Sequence, residues 1–303
     1  MNTRDLQYLV ALADLGHFGK AAEMCFVSQP ALSMQIKKLE ETLGVKLVER
    51  TNKSVVLTDI GIIIAERARN ILTQVDELRD IAKAAKDPFS GEIKIGIFPT
   101  LAPYLFPHII PPLSKLFPKL TIYLIEEKTD LLLEKLKQGK IHAAIVALPI
   151  TETGMTLSPL FEEEFLLTVS HTHPLAKRKS VKQQELHNKD ILLLEDGHCM
   201  RDQVLSFCHR ANAAETLNFR ATSLETLRHM VAAGAGITLM PRLAAEGCPL
   251  AAFIPFDKPK PARTIGIAWR NCTTKLILLK EISNQIKKIM AQKTMVKITD
   301  SNK

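Results

Sequence analysis

Apolar positions at the start of the chain recur with a helical period. Leu6, Leu9, Val10, Ala13 and, more loosely, Leu12 fall on one side of a helix over residues 5–15, and Gly16 ends it. A short Ala-rich segment, Lys20 to Cys25, leads through Phe26 and Val27 to Ser28. Ser28 is a favourable N-cap, and Pro30 falls in the first turn, where its missing N–H costs nothing. A second helix is therefore predicted, with Ala31, Leu32, Ile36, Leu39 and Leu43 inward and Gly44 as its stop. The next segment, KLVERTNKSVVLT, alternates apolar residues around the polar turn Thr51-Asn52-Lys53 and predicts a β-hairpin. Two helices joined by a tight turn and followed by a hairpin make a winged helix-turn-helix, whose second helix fits the major groove of DNA. In that reading Ser28, Gln29, Pro30, Ser33, Gln35 and Lys37 face the groove. Gln amides suit adenine edges, and Arg50 and Lys53 suit phosphates. An ordinary helical subdomain with a solvated polar face is the competing reading.

From Thr58 to Lys86 there is no proline and only Gly61, which predicts one long helix. Ile64, Ala68, Ile71, Val75, Leu78, Ala82 and Ala85 form a heptad seam along it, pointing to self-association, with packing on its own domain as the alternative. Asp87-Pro88-Phe89-Ser90-Gly91 breaks the helix and predicts a hinge. Beyond Gly91, strand-like EIKIGIF, helical PHIIPPLSKLFP, strand-like LTIYLIEE, helical TDLLLEKLKQGK and strand-like HAAIVAL alternate, and a second such set follows from Phe165. The alternation predicts a parallel sheet with helices on both faces, and two α/β lobes with a ligand cleft between them. The expected division is residues 1–58 for the DNA-binding head and 59–88 for a linker helix and hinge. Residues 89–303 would be a regulatory domain, with lobe I over 89–161 and 267–303 and lobe II over 162–266.

Composition narrows the class without naming the chemistry. Of 303 residues, 46% are hydrophobic and 24% charged, a globular balance that excludes disordered and collagen-like chains. No apolar run has the length of a membrane span, and the acidic N-terminal segment is not a signal peptide. The net charge of +8 suggests a polyanionic partner, but residues 1–86 carry 12 Lys/Arg against 11 Asp/Glu, whereas 270–303 carry 8 against 2. Total charge is thus weak support for DNA binding. Five cysteines are an odd number at low density, which points to a reduced, cytosolic chain.

One stretch carries distinctive chemistry, LLLEDGHCMRDQVLSFCHR over 192–210. Cys199 follows an apolar strand and the turn Asp196-Gly197-His198, near the start of a predicted helix, a position that lowers a thiol pKa. His198 and Arg201 flank it and can stabilise a thiolate. Cys208, nine residues on, fits neither a zinc pair nor a CxxC motif. If the segment is helical the two residues stand about 13 Å apart along the axis, beyond the roughly 7 Å reach of a disulfide, so joining them means unravelling the helix. That makes the pair a candidate two-state switch, against the reading of two unrelated buried thiols. Cys25, Cys248, Cys272 and the His171-Thr172-His173 turn carry no such context, and no metal-ligand spacing or phosphate loop occurs.

Residues 1–58, through AAEMCFVSQPALSMQIKKLEETLGVKLVER, resemble the winged helix-turn-helix of LysR-type transcriptional regulators. GIFPTLAPYLFPHIIPPL, EDGHCMRDQVLSFC and FRATSLETLRHMVAAGAGITLMP resemble the peroxide-sensing members of that family, and the likeness runs to about residue 290. It implies a mainly α head, a long linker helix and a two-lobed, periplasmic-binding-protein-like α/β regulatory domain. It also implies that Cys199 is the peroxidatic cysteine and Cys208 its resolving partner. Thr100, Thr129 and His198 would line the peroxide pocket, with Arg263 and Asp202 supporting it. The resemblance further implies a homodimer or homotetramer on double-stranded promoter DNA, hydrogen peroxide as signal, RNA polymerase as a partner, and re-reduction by glutaredoxin or thioredoxin. The chain would be a cytoplasmic, nucleoid-associated activator of antioxidant genes, not an enzyme, with no cofactor, metal or membrane contact. It departs from those members at Asn218, where they carry His. The tail beyond 292 is expected to lie outside the ordered fold. A LysR-type regulator of a small metabolite, with both cysteines structural, and a thiol peroxidase remain as alternatives.

Overall fold

The computed structural model describes residues 1–50, 55–84, 87–187, 189–210, 214–292 and 296–298, the side chains at 50, 77, 80, 83, 84, 190, 208–210, 214–219 and 296–298 excepted. The chain forms two compact units, Met1–Ala82 and Lys83–Lys303.

The first unit opens with α1 (Thr3–Leu15), α2 (Phe18–Met24) and α3 (Gln29–Leu43). Local chemistry sets their ends. The Asn2 side chain accepts from the N–H groups of Arg4 and Asp5 while Asp5 accepts from Asn2 N–H, a reciprocal cap. The Ser28 hydroxyl accepts from Ala31 N–H, and Gly16 and Gly44 close α1 and α3 in the left-handed region. Leu9, Leu12, Leu32, Ile36 and Leu39 form the core with Phe18, Ala21 and Ala22. The buried stripe of α1 includes Tyr8 and Ala11 rather than Val10 and Ala13, because α1 packs against both α2 and α3. The wing follows as β1 (Val48–Arg50) antiparallel to β2 (Val55–Leu57). Its turn, with Lys53, lies outside the described residues, as does the Arg50 side chain.

The long helix α4 runs Asp59–Ala84. Its first turns belong to the head. Gly61 passes so close to the Leu47 carbonyl that a Cβ there would lie 2.1 Å from the oxygen, Ala65 and Ala68 are buried, and Arg69 pairs with Asp14. The predicted seam therefore divides: Ala68 is covered by its own unit, Ile64 and Val75 are half-buried, Ile71 and Leu78 are exposed, and Ala85 lies outside the described residues.

The sheet of the second unit begins after the Asp87 turn, in which Phe89 stacks on Phe117. Lobe I contains β3 (Gly91–Ile97), α5 (Ala102–Leu116), β4 (Leu120–Glu126), α6 (Thr129–Lys137) and β5 (Ala143–Leu148). The helix predicted from Pro107 starts earlier, at Ala102, and carries Pro107, Pro111 and Pro112 on its exposed side, where carbonyls left without a donor reach water. Next comes β6 (Met155–Val169), then in lobe II β7 (Asp190–Leu194), α7 (Cys199–Arg210), β8 (Ala214–Ala221), α8 (Leu224–Ala232), β9 (Thr238–Pro241), α9 (Arg242–Ala245) and β10 (Ala252–Ile254). The chain returns through β11 (Ala262–Arg270) and α10 (Leu276–Ala291) to β12 (Val296–Ile298).

The sheet is mixed rather than parallel. β3 pairs in parallel with β4 and β5, but β11 runs antiparallel to β5 and β6. The reversed strand is β11, which returns between β5 and β6, while β6, one strand of 15 residues, pairs with β11 along its first part and with β9 and β10 along its last, so both lobes share it. Each lobe has its own core, one around Ile95, Leu105 and Ile145, the other around Leu167, Leu193 and Leu227. The exchange of cores occurs beside Phe165, whose N–H donates to the Pro261 carbonyl. The tail also departs from expectation: β12 pairs with β6 at Phe161–Glu163, along the edge opposite β11 that β9 and β10 leave open.

Candidate functional site

In the head, Gln29, Pro30 and Lys37 are exposed on α3 and Ser33 is half-buried, with Ser28 at the cap. Pro30, Ser33, Met34 and Lys37 of α3 line one groove with Lys46 and Val48 from the wing side. Gln35 is set apart, lining a separate recess with Asn2, Arg4 and Asp5 of α1. Glu40, which sequence reasoning missed, ties wing to helix. Its carboxylate accepts from Leu47 N–H at 2.8 Å, Val48 N–H at 3.2 Å and Lys46 Nζ at 3.1 Å. Burial disfavours its charge, but these donors outweigh burial and hold the carboxyl below its usual range.

The second unit builds a site around Cys199. β7 ends at Leu194, Gly197 turns the chain at φ +87°, and α7 starts at Cys199. Met200, Val204 and Phe207 bury into lobe II, Phe207 edge-on against Phe256 with centroids 5.2 Å apart. Cys199 instead packs against the core of lobe I, so the first turn of α7 lies between the lobes. Burial pushes the thiol up from its ordinary value. Arg263, the Thr129 hydroxyl and the Met200 N–H pull it down, and Asp202 adds to the rise. This corrects the expectation of a lowered thiol, which took account of the helix terminus and sequence neighbours but not of the second lobe closing over the sulfur.

The cation that acts on the sulfur comes from β11, not from the adjacent sequence. Arg263, 3% exposed, sits between Phe98 and Phe165, with ring centroids 5.2 and 5.6 Å from its guanidinium carbon. Its Nη1 donates to Thr100 Oγ1 and its Nη2 to the Thr100 carbonyl, each at 3.2 Å. The Thr100 oxygen accepts this bond, leaving its own proton to donate elsewhere. Glu163, fully buried, accepts from Arg263 Nε at 2.8 Å and lies 2.7 Å from Nη2. Its other oxygen accepts from Leu243 N–H at the start of α9. The Thr129 hydroxyl makes no hydrogen bond of ordinary geometry, yet it lies near enough to the sulfur to favour the ionised form.

Arg201 serves the turn. Its Nε donates to Asp196 Oδ1 at 2.8 Å and its Nη1 to the Leu194 carbonyl at 3.3 Å, while Arg220 takes the other Asp196 oxygen. His198 is buried, and burial followed by Lys128 holds its pKa down, so the imidazole is neutral at pH 7. Its Nε2 has no hydrogen-bond partner and lies 3.8 Å from Glu195 Oε1. Lys128, also missed in the sequence, reaches from lobe I to Glu195 at 3.0 Å and to the Asp196 carbonyl at 3.2 Å. Asp202 is exposed in the first turn of α7. The backbone of Cys208 lies in the same helix, about 13 Å along its axis from Cys199. The side chains of Cys208 and Asn218 lie outside the described residues. Cys25 and Cys248 are half-buried and Cys272 is exposed; His171 bonds the Pro249 carbonyl. Among the described residues no cluster of three metal-ligating side chains occurs, and no helix is long and apolar enough to cross a membrane.

Glu163 was legible by one signal. Phe161, Glu163 and Phe165 alternate inward along β6, which marks the middle residue of the acidic run 162–164 as the inward one. Lys128 and Glu195 carry no comparable mark.

Comparison with known proteins agrees with both units. Residues 3–62 match the bacterial regulatory helix-turn-helix protein family of lysR type, and residues 86–275 match the LysR substrate binding domain. The chain is 48% identical over 276 residues to the DNA-binding transcriptional dual regulator OxyR of Escherichia coli, covering 89% of this chain and 90% of that protein. It is 46% identical over 274 residues to the hydrogen peroxide-inducible genes activator of Haemophilus influenzae, covering 89% and 91%. Full-length OxyR from Pseudomonas aeruginosa superposes with a TM-score of 0.79 at 37% identity, over 100% of this chain and 99% of that one. The chain therefore belongs to the lysR family of bacterial helix-turn-helix regulatory proteins, and within it is similar to OxyR over nearly its whole length.

Proposed function

We propose that this LysR-type DNA-binding regulator senses hydrogen peroxide through Cys199, with Cys208 as the resolving thiol, and controls antioxidant genes. The observation that carries the reading is the setting of Cys199. A thiol at a helix start between two lobes faces Arg263 and Thr129, on the same helix as a second cysteine, in a chain similar to proteins named for peroxide response. Solved structures of OxyR in oxidised and reduced forms, 44% and 42% identical to this chain over about two thirds of it, support a two-state regulatory unit.

The Cys199 thiolate attacks one peroxide oxygen, giving Cys199 sulfenic acid and hydroxide, which takes up a proton as water leaves. Sulfur is oxidised by two electrons and the O–O bond is reduced. In this reading the hydroxyls of Thr100 and Thr129 and the neutral His198 orient the peroxide and stabilise the leaving oxygen, with Arg263 supplying positive charge. Cys208 then displaces water from the sulfenic acid to form the disulfide. Because the two positions stand about 13 Å apart along α7, closure requires that helix to unravel, with loss of the Phe207 packing. Glutaredoxin or thioredoxin returns the dithiol. Asp202, in the first turn of α7, supports the pocket from its edge, its charge opposing the thiolate.

The head reads promoter DNA through Ser28, Gln29, Pro30, Ser33, Gln35 and Lys37, with Arg50 and Lys53 of the wing on phosphates. α4 pairs copies into a dimer and then a homotetramer, which recruits RNA polymerase from the cytoplasm and nucleoid. The chain acts stoichiometrically, as a regulator rather than an enzyme.

Equimolar peroxide, thiol trapping and peptide mapping test this. A Cys199–Cys208 disulfide is expected, with stalling at the sulfenic acid in Cys208→Ser and no response in Cys199→Ser. Pairing of Cys199 with Cys25, Cys248 or Cys272 would overturn it.

A further inference from the structure

Arg263 is a fully buried cation, and a buried guanidinium needs a counter-charge as well as hydrogen-bond acceptors. Glu163 meets both needs, accepting from Nε at 2.8 Å and lying 2.7 Å from Nη2. The carboxylate has a second duty, since its other oxygen holds Leu243 N–H at 2.9 Å. One side chain thus joins the β11 arginine, the first turn of α9 and, through that arginine, Thr100 in the segment after β3. Nothing in the peroxide chemistry above requires a carboxylate here. A neutral acceptor would suffice to orient the guanidinium.

We propose that Glu163 is a positioning residue that restrains the reactivity of Cys199: paired with Arg263, it offsets part of the arginine's charge at the sulfur. This rests on the reading of Cys199 as the reacting thiol. The consequence has a definite sign. Arg263 is gripped independently by Thr100 and by the rings of Phe98 and Phe165, so it has no room to leave when Glu163 is neutralised. Losing the negative charge while the guanidinium stays raises the positive potential at the thiol and favours the thiolate, in the direction Arg263 already acts. The restraint suits a sensor, since a sulfur buried between lobes and ionised too readily would oxidise without stress.

The test is Glu163→Gln in the full chain, followed by the pH dependence of Cys199 alkylation with iodoacetamide, read peptide by peptide in a mass spectrometer. Exposed Cys272 is the internal reference. The expected result is a Cys199 midpoint lower by half a pH unit to one unit, corresponding to about threefold to tenfold more thiolate at neutral pH, with the Cys272 midpoint unmoved. A merely structural carboxylate would leave the Cys199 midpoint in place, and an unchanged or raised midpoint in folded protein overturns the proposal. If Glu163→Gln does not fold, Glu163→Gln combined with Arg263→Met removes both buried charges and leaves an amide oxygen to accept from Leu243 N–H. Its midpoint is then expected below that of Arg263→Met alone, and a midpoint equal to or above that of Arg263→Met overturns the proposal. Alkylation needs no peroxide, so a shifted midpoint in a chain that fails to form the disulfide would sink the sensing function while leaving the Glu163 restraint standing.

Discussion

Cys199 brings together effects of opposite sign. Burial against lobe I raises the thiol, and Arg263, Thr129 and the Met200 N–H lower it. A thiol held above its ordinary range is mostly protonated at neutral pH, so its oxidation rate should climb about tenfold per pH unit through neutrality, as the thiolate fraction does. Thr129→Val keeps the shape and removes the hydroxyl, and sulfenic acid formation should then slow by about tenfold, as trapping with a sulfenic-acid reagent would record. An unchanged rate would remove Thr129 from the site. Glu40 gives a second residue-level prediction, this time on stability. Its folded pKa is depressed, so its contribution is fully present above the unfolded value, near 4.3, and is lost as pH falls through the folded value. Glu40→Ala leaves Leu47 N–H without its partner and should cost the head about 1–3 kcal/mol, measured by urea unfolding, with weaker loss of stability in acid than wild type shows.

Among the elements, α4 and α7 have the clearest consequences. The first turns of α4 are packed on the head through Gly61, Ala65 and Ala68, whereas Ile71 and Leu78 further along remain exposed, 42% and 66%. A helix that shows apolar residues seven apart needs a partner along that face. Ile71→Asp should therefore yield monomers in sedimentation while the thermal unfolding of the head is unaltered. A dimer that persists would move the main contact to the regulatory unit. In α7, Met200, Val204 and Phe207 anchor the helix in lobe II, and Cys199 reaches lobe I. Under the proposed switch, oxidation should release this anchored face, and amide exchange over 200–208 is the measure of it.

For the whole molecule, the two units divide reading DNA from sensing. Gln29 is exposed at the start of α3, and Lys37 stands two turns on with its charge partly engaged by Glu41 at 3.9 Å. Gln29→Ala should relax base preference by about 1–3 kcal/mol at one position. Lys37→Ala should weaken binding to all sequences and flatten the salt dependence. Binding titrations on matched and mismatched promoter fragments at two salt concentrations separate the two outcomes. Equal losses of specificity from both would undo the assignment of the groove.

What the sequence alone determined was local. Ser28, Gly16 and Gly44 set helix ends through bonds and backbone angles within four residues, and the periodicity of the head and the helix carrying both cysteines follow from spacing alone. The motif around Cys199 was equally visible, because its turn and helix start are adjacent in the chain. Tertiary structure decided the rest. Only the fold shows that β11 returns antiparallel between β5 and β6, which makes the sheet mixed, and that β6 runs through both lobes and leaves an edge for β12. Only the fold places Arg263, 64 positions beyond Cys199 in the chain, as the cation acting on the sulfur, while Arg201, two positions away, is bound to the turn. A helix cap depends on a few consecutive residues, whereas the ionisation of a buried thiol sums burial and charge from segments that meet only once the lobes have packed.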